Sequence, residues 1–83
     1  MNSIWIDFEP NEISDSLEAK LKFSKVEEVL KEYQHKGEHL GRKYRWKISD
    51  IGLEDVKAHA RGINTRLNEF LNENEFLVSL GEK

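Results

Sequence analysis

Between Leu53 and Leu71 seven apolar residues recur, Leu53, Val56, Ala60, Ile63 and Leu67 at alternating spacings of three and four, and Phe70 and Leu71 three and four residues after Leu67. At about 100° per residue they fall on one narrow stripe, the signature of an amphipathic helix that must bury one side. Ser49 or Asp50 is placed to cap this helix, Glu54 and Asp55 favour its first turn, and the Asn72 to Asn74 region supplies a stop. Gly62 interrupts the pattern from the face opposite the stripe and is read as an exposed glycine, with a kink or break after Arg61, or a close backbone contact with a partner, as alternatives.

A second helix is expected from about Lys25 to His35. Ser24 and Glu27 have the spacing of a capping box, Val26, Val29, Leu30 and Tyr33 form the stripe, and Gly37 ends it. Leu17 to Phe23 alternates apolar and charged residues, as a half-buried strand does, although Leu, Glu, Ala and Lys favour helix. Running the helix backwards would put Leu17 and Leu21 opposite Phe23, Val26 and Leu30. A strand is therefore expected over 17–23, with a short separate helix from Asp15 as the alternative.

Ile4, Ile6 and Phe8 share one face of a strand that Pro10 ends. Arg42 to Ile48 alternates likewise, with Tyr44, Trp46 and Ile48 on one side and Lys43, Arg45 and Lys47 on the other. Glu75 to Leu80 is compatible with a further strand or with an extension of the preceding helix, and the strand is preferred. The chain of 83 residues is long enough for one domain only. The expected architecture is α+β over residues 1–83: two helices packed on one face of a small, three- or four-stranded, mostly antiparallel sheet.

The absence of cysteine excludes disulfides, thiolate metal sites and thiol catalysis. No apolar run approaches the roughly 20 residues that cross a bilayer, and the N-terminus lacks the pattern of a signal peptide. A soluble cytoplasmic protein is expected, with no membrane partner. The net charge of -3 conceals a partition: -5 over residues 1–19, +5 over 20–47 and -3 over 48–83. The acidic start and basic middle either neutralise one another in the fold or form separate patches.

Three sets of residues suggest function. Trp5 shares the strand face of Asp7 and Glu9, opposite Ile4, Ile6 and Phe8, so an uncovered sheet would display a tryptophan among acids, a common anchor for a protein partner. Lys43, Arg45 and Lys47 stand about 6.5 Å apart along a strand, a row able to follow a phosphate backbone, with Lys20 and Lys22 as a second basic set. Tyr44 and Trp46 stack on bases only if they face outward; the simpler expectation places both in the core. Asp7 with Glu18-Ala19-Lys20 has the spacing of a two-carboxylate and lysine metal-dependent nuclease, a pattern that arises freely in a chain rich in Glu and Lys.

His35 and His39 are four apart but separated by Gly37, with no acid or cysteine beside them read as a ligand set, and His59, at the edge of the long helix's stripe, is read as a boundary residue. No glycine-rich phosphate loop or nucleophile elbow occurs, so no catalytic site, metal or cofactor is expected. The leading expectation is a non-enzymatic interaction or regulatory module that binds a protein partner, or itself as a homodimer, through an open sheet face bearing Trp5, Asp7 and Glu9. Nucleic-acid binding through the basic strand Arg42 to Lys47 is the alternative, and a metal-dependent nuclease a distant third.

Overall fold

The computed structural model describes residues 2–13, 15–33, 36–41 and 43–82, the side chains of Lys36 and Glu82 excepted. Its first element is β1 (Asn2–Phe8), which turns Ile4, Ile6 and Phe8 into the core. The chain then enters α1 (Leu17–Lys31), so the expected strand over 17–23 is in fact helix. Ser16, not Ser24, is the N-cap: its backbone is extended and its Oγ accepts the Ala19 N–H at 3.2 Å. Helix propensity prevails over the period-two pattern because a different stripe, Ala19, Phe23, Val26, Leu30 and Tyr33, continues through the segment. Leu17 and Leu21 are left on the outside, 72% and 55% exposed.

The helix ends at Lys31, short of the expected His35, which lies outside the described residues together with Arg42. Gly37 does not stop a helix. It belongs to β2 (Lys36–Leu40), a strand that the sequence analysis did not anticipate. Gly41, at φ +63°, sits in the two-residue link to β3 (Lys43–Ile51), where a positive φ suits a hairpin turn. Gly37 faces Trp46 across this hairpin, and a Cβ there would lie 2.6 Å from the indole nitrogen. The strand pair therefore needs a glycine at that point for the tryptophan to lie flat.

Ser49 and Asp50 belong to β3 and cap nothing; Asp50 takes φ 62° where the β1–β3 register shifts between Asn2 and Ile4. The second helix, α2 (Leu53–Asn68), starts from Gly52 without a side-chain cap. It buries Val56, Ile63 and Leu67 as its stripe requires, but Leu53 is 78% exposed. The helix stops before Phe70, and Leu71 is buried from the following turn. Gly62 continues the helix without a break. It is half-buried rather than exposed, and a Cβ there would sit 3.6 Å from the Tyr33 hydroxyl, so it marks the approach of the two helices. A 3-10 turn, Glu73–Glu75, leads into β4 (Phe76–Glu82), the expected last strand.

The strand order is β2-β3-β1-β4, and every neighbouring pair is antiparallel. The chain order β-α-β-β-α-β thus forms two interleaved halves, each helix linking strands that have another strand between them, the split β-α-β arrangement of small α+β domains. Both helices cover the side carrying Ile4, Ile6, Phe8, Trp46 and Ile48. Trp46 is fully buried, and Phe23 packs on Tyr44 and Trp46 at centroid distances of 4.5 Å and 5.4 Å. These aromatics therefore belong to the core side and do not serve as stacking platforms.

Candidate interaction face of the sheet

The side of the sheet away from the helices is set by strand alternation. Directly paired residues share a face, so Asp7, Arg45, Glu38 and Leu77 lie across one row, and Trp5, Lys47 and Ser79 across the next. Lys43 and Leu40 form a further cross-strand pair on this side, with Leu77 and Leu40 60% and 45% exposed at its margins. Trp5 and the three basic residues Lys43, Arg45 and Lys47 are therefore brought together on the uncovered face, at the two central strands.

Trp5 is half-buried, although no helix covers it. Its indole lies over Gly81, where a Cβ would approach the ring nitrogen to 2.7 Å. The Arg45 guanidinium carbon and the Lys47 Nζ stand 5.4 Å and 5.1 Å from its ring centroid, within cation–π range. The tryptophan is thus held flat and preorganised by a glycine on one neighbouring strand and cations on the other.

Asp7 and Arg45 form an ion pair on this face. Arg45 Nε donates to Asp7 Oδ1 at 2.7 Å and Nη2 to Oδ2 at 3.4 Å. The hydrogen bond to Asp7 and its charge, with a smaller contribution from Glu38, hold the Arg45 guanidinium above its ordinary value. Arg45 is consequently committed to this chain, and the expected row of three cations is broken in its middle. Among the described residues Lys43 and Lys47 make no ion pair, so they carry the uncompensated positive charge of the face. Glu9 is exposed just beyond β1 and lines, with Asp7, Lys43 and Leu77, a small cleft of 150 Å³ at the end of the sheet.

The other basic set lies elsewhere. Lys20 and Lys22 are on α1, and Lys22 Nζ reaches Glu75 Oε2 at 2.8 Å and Glu12 Oε2 at 3.0 Å. Sequence reasoning missed this cluster, in which Glu75 is 1% exposed and also accepts the backbone N–H groups of Asn11 and Asn72, each at 2.9 Å. Its legible signal was the Asn72-x-x-Glu75 capping box that starts the 3-10 turn. Burial by itself would raise the Glu75 carboxyl, but the hydrogen bonds from Asn11, Lys22 and Asn72 outweigh it and hold the group below the ordinary glutamate range. Burial likewise opposes the Lys22 ammonium, and its bonds to Glu75 and Glu12 hold it above its ordinary value. With Asp7–Arg45, these contacts show the acidic start of the chain folding against its basic middle.

The nuclease arrangement does not form. Asp7 faces the uncovered side, whereas Glu18 and Lys20 are exposed on a helix packed against the opposite side. His39 stacks on Tyr44 at 4.7 Å and His59 packs edge-on against Tyr33 at 5.3 Å. A wider cleft of 440 Å³ opens where α2 leaves β3, lined by Tyr33, Asp50, Asp55 and His59 among others. Among the described residues no group of three or more His, Asp or Glu is placed to hold a metal ion, and no helix is long and apolar enough to cross a membrane.

No family model matches the chain, and no curated protein does. Among solved structures, a hypothetical protein from Methanocaldococcus jannascii is similar, with a TM-score of 0.48 and 15% sequence identity over 99% of this chain and 80% of that one.

Proposed function

We propose that this chain is a non-enzymatic interaction module that recognises a protein partner through the uncovered face of its sheet. The observation that carries the proposal is Trp5, fixed over Gly81 and flanked by Arg45 and Lys47 at the centre of that face. A half-buried tryptophan with cations on its ring supplies a rigid apolar contact at little entropic cost, as interface anchors do. Leu77 and Leu40 add apolar area at the margins, while Lys43 and Lys47 seek carboxylates. The fitting partner therefore presents an apolar patch bordered by acids. In this arrangement Asp7 does not reach the partner as a free acid; it holds Arg45 in place, and Glu9 lies at the rim.

Photocrosslinking tests the assignment of the face. A benzophenone amino acid at Lys43 or Leu77 is expected to capture a specific protein from native lysate, and the same probe at Lys57, on the exposed side of α2, is not. Capture from Lys57 alone would refute the face.

A second use of the same face is favoured by the position of Lys43 and Lys47 beside Trp5: binding of single-stranded nucleic acid, with one base stacked on the indole. With Arg45 neutralised by Asp7, only about two phosphates are engaged, so log K is expected to fall with log salt at a slope of about -1.4. Lys43→Glu and Lys47→Glu should abolish such binding. No shift of labelled single-stranded DNA or RNA at low salt would remove this second use.

A further inference from the structure

The two edges of the sheet are built differently. The outer strand β2 is short and carries exposed Glu38 and His39, a charged edge of the kind that discourages pairing. The opposite edge, β4, is seven residues long, has no charged residue and no proline from Phe76 to Gly81, and pairs with β1 without a bulge. It also carries two outward leucines, Leu77 at 60% and Leu80 at 50% exposure, one on each face of the sheet.

The ladder fixes which backbone groups this edge offers. Glu9 donates its N–H to the Glu75 carbonyl at 2.7 Å, so by antiparallel alternation residues 77, 79 and 81 turn their N–H and C=O groups to β1. Residues 76, 78, 80 and 82 turn theirs outward. A second β4, antiparallel and centred on Ser79, matches this set along the full strand, pairing 76 with 82 and 78 with 80. Nothing in that register opposes like charges between Phe76 and Gly81.

The side chains agree with the same register. Leu80 of one copy falls opposite Val78 of the other. There a groove of 210 Å³ opens between α2 and β4, lined by Asn64, Asn68, Phe76 and Val78 among others. Leu77 falls opposite Gly81, beside the Trp5 indole. Each copy thus supplies both the protruding leucine and the groove, the self-complementarity that a two-fold contact requires. A head-to-tail pairing of β4 with β2 would instead leave edges open and propagate.

We propose that two copies of the chain join β4 to β4 about a two-fold axis at Ser79, forming one continuous eight-stranded sheet. The two Trp5 faces then lie side by side, their β1 strands about 14 Å apart, so the partner meets a bivalent surface. The contact lies at the sheet edge and stands whether or not the open face binds a partner.

The register has a direct test, because the chain has no cysteine of its own. In Ser79→Cys the two thiols meet at a non-hydrogen-bonded pair with Cα atoms about 4.5 Å apart, within disulfide range. Mild oxidation is expected to link Ser79→Cys at least ten times faster than Ser49→Cys, which is exposed elsewhere. In sedimentation velocity the wild type is expected to double its mass across micromolar to millimolar concentrations. Leu80→Lys, and Leu80→Pro, which takes away both an outward N–H and the protruding side chain, should weaken association at least tenfold while the circular dichroism stays unchanged. Lys43→Glu, on the open face, should leave the dimer intact. A monomer at all concentrations, equal crosslinking of the two cysteine variants, assembly that continues beyond a dimer, or loss of the dimer in Lys43→Glu but not in Leu80→Lys would overturn the proposal.

Discussion

Removing the Glu75 carboxylate should be among the most damaging single changes in this protein. The group is 1% exposed and accepts from the Asn11 and Asn72 backbone N–H groups, the Lys22 ammonium at 2.8 Å and Asn72 Nδ2 at 3.3 Å. It thereby ties the start of α1 and the link after β1 to the turn that begins β4. Glu75→Ala leaves two backbone donors short of acceptors, at about 1–3 kcal/mol for each that water cannot reach. It also strips one partner from a partly buried ion pair, a change that costs about 3–5 kcal/mol when the remaining charge is left alone. Lys22 keeps Glu12 at 3.0 Å, and relaxation admits water to Asn11, so the net loss is about 3–4 kcal/mol. A domain of this size holds about 4–12 kcal/mol in total. In urea, with a slope of about 1 kcal/mol per molar, the midpoint should fall by about 3 M. Tryptophan fluorescence and circular dichroism should report one coincident transition. Glu75→Gln keeps the shape but presents an amide donor among donors and should lose about 2 kcal/mol. A loss below about 1 kcal/mol for Glu75→Ala would refute the role given to this cluster.

The same group makes stability depend on acid: its folded value lies below the ordinary 4.5, so its contribution is complete above pH 4.5 and disappears as pH falls through the lower folded value. Glu75→Gln should flatten that part of the wild-type profile of stability against pH. Ser16→Ala should cost about 1 kcal/mol through loss of the α1 cap, whereas Ser24→Ala, in mid-helix and exposed, should be nearly neutral in the same urea titration. Gly62→Ala should raise stability by up to about 1 kcal/mol, because the added Cβ meets the Tyr33 hydroxyl at an ordinary 3.6 Å; a loss would show that the helices cannot accept a methyl group there. Gly81→Val should lift Trp5 off the sheet and red-shift its emission, measured in a Trp46→Phe background. An unchanged spectrum would contradict the packing at Gly81.

Period and spacing located most of the core. Ile4, Ile6 and Phe8 alternate because one sheet face is buried, and Val56, Ile63 and Leu67 recur because one side of α2 is. The failure at Leu17 to Phe23 is instructive. Its apolar alternation is half accidental, since Leu17 and Leu21 remain outside and the buried contact of the first turn comes from Ala19, too small to stand out in a pattern. β2 was invisible because an edge strand of Lys, Gly, Glu, His and Leu carries little intrinsic preference and exists through its pairing with β3. At the candidate face, alternation alone placed Trp5 opposite the core and Lys43, Arg45 and Lys47 on one side. The capture of Arg45 by Asp7, and the seat of Trp5 on Gly81, depend on β1 lying between β3 and β4. Such adjacency is a property of topology and leaves no local mark in the sequence.

Recognition through the open face is decided by parallel affinity capture from native lysate on immobilised wild type, Trp5→Ala, Lys47→Glu and Lys57→Glu, each shown to be folded by circular dichroism. The open face predicts a protein retained by wild type and by Lys57→Glu and depleted at least tenfold on Trp5→Ala and Lys47→Glu. Equal retention on all four, or depletion on Lys57→Glu alone, would contradict it.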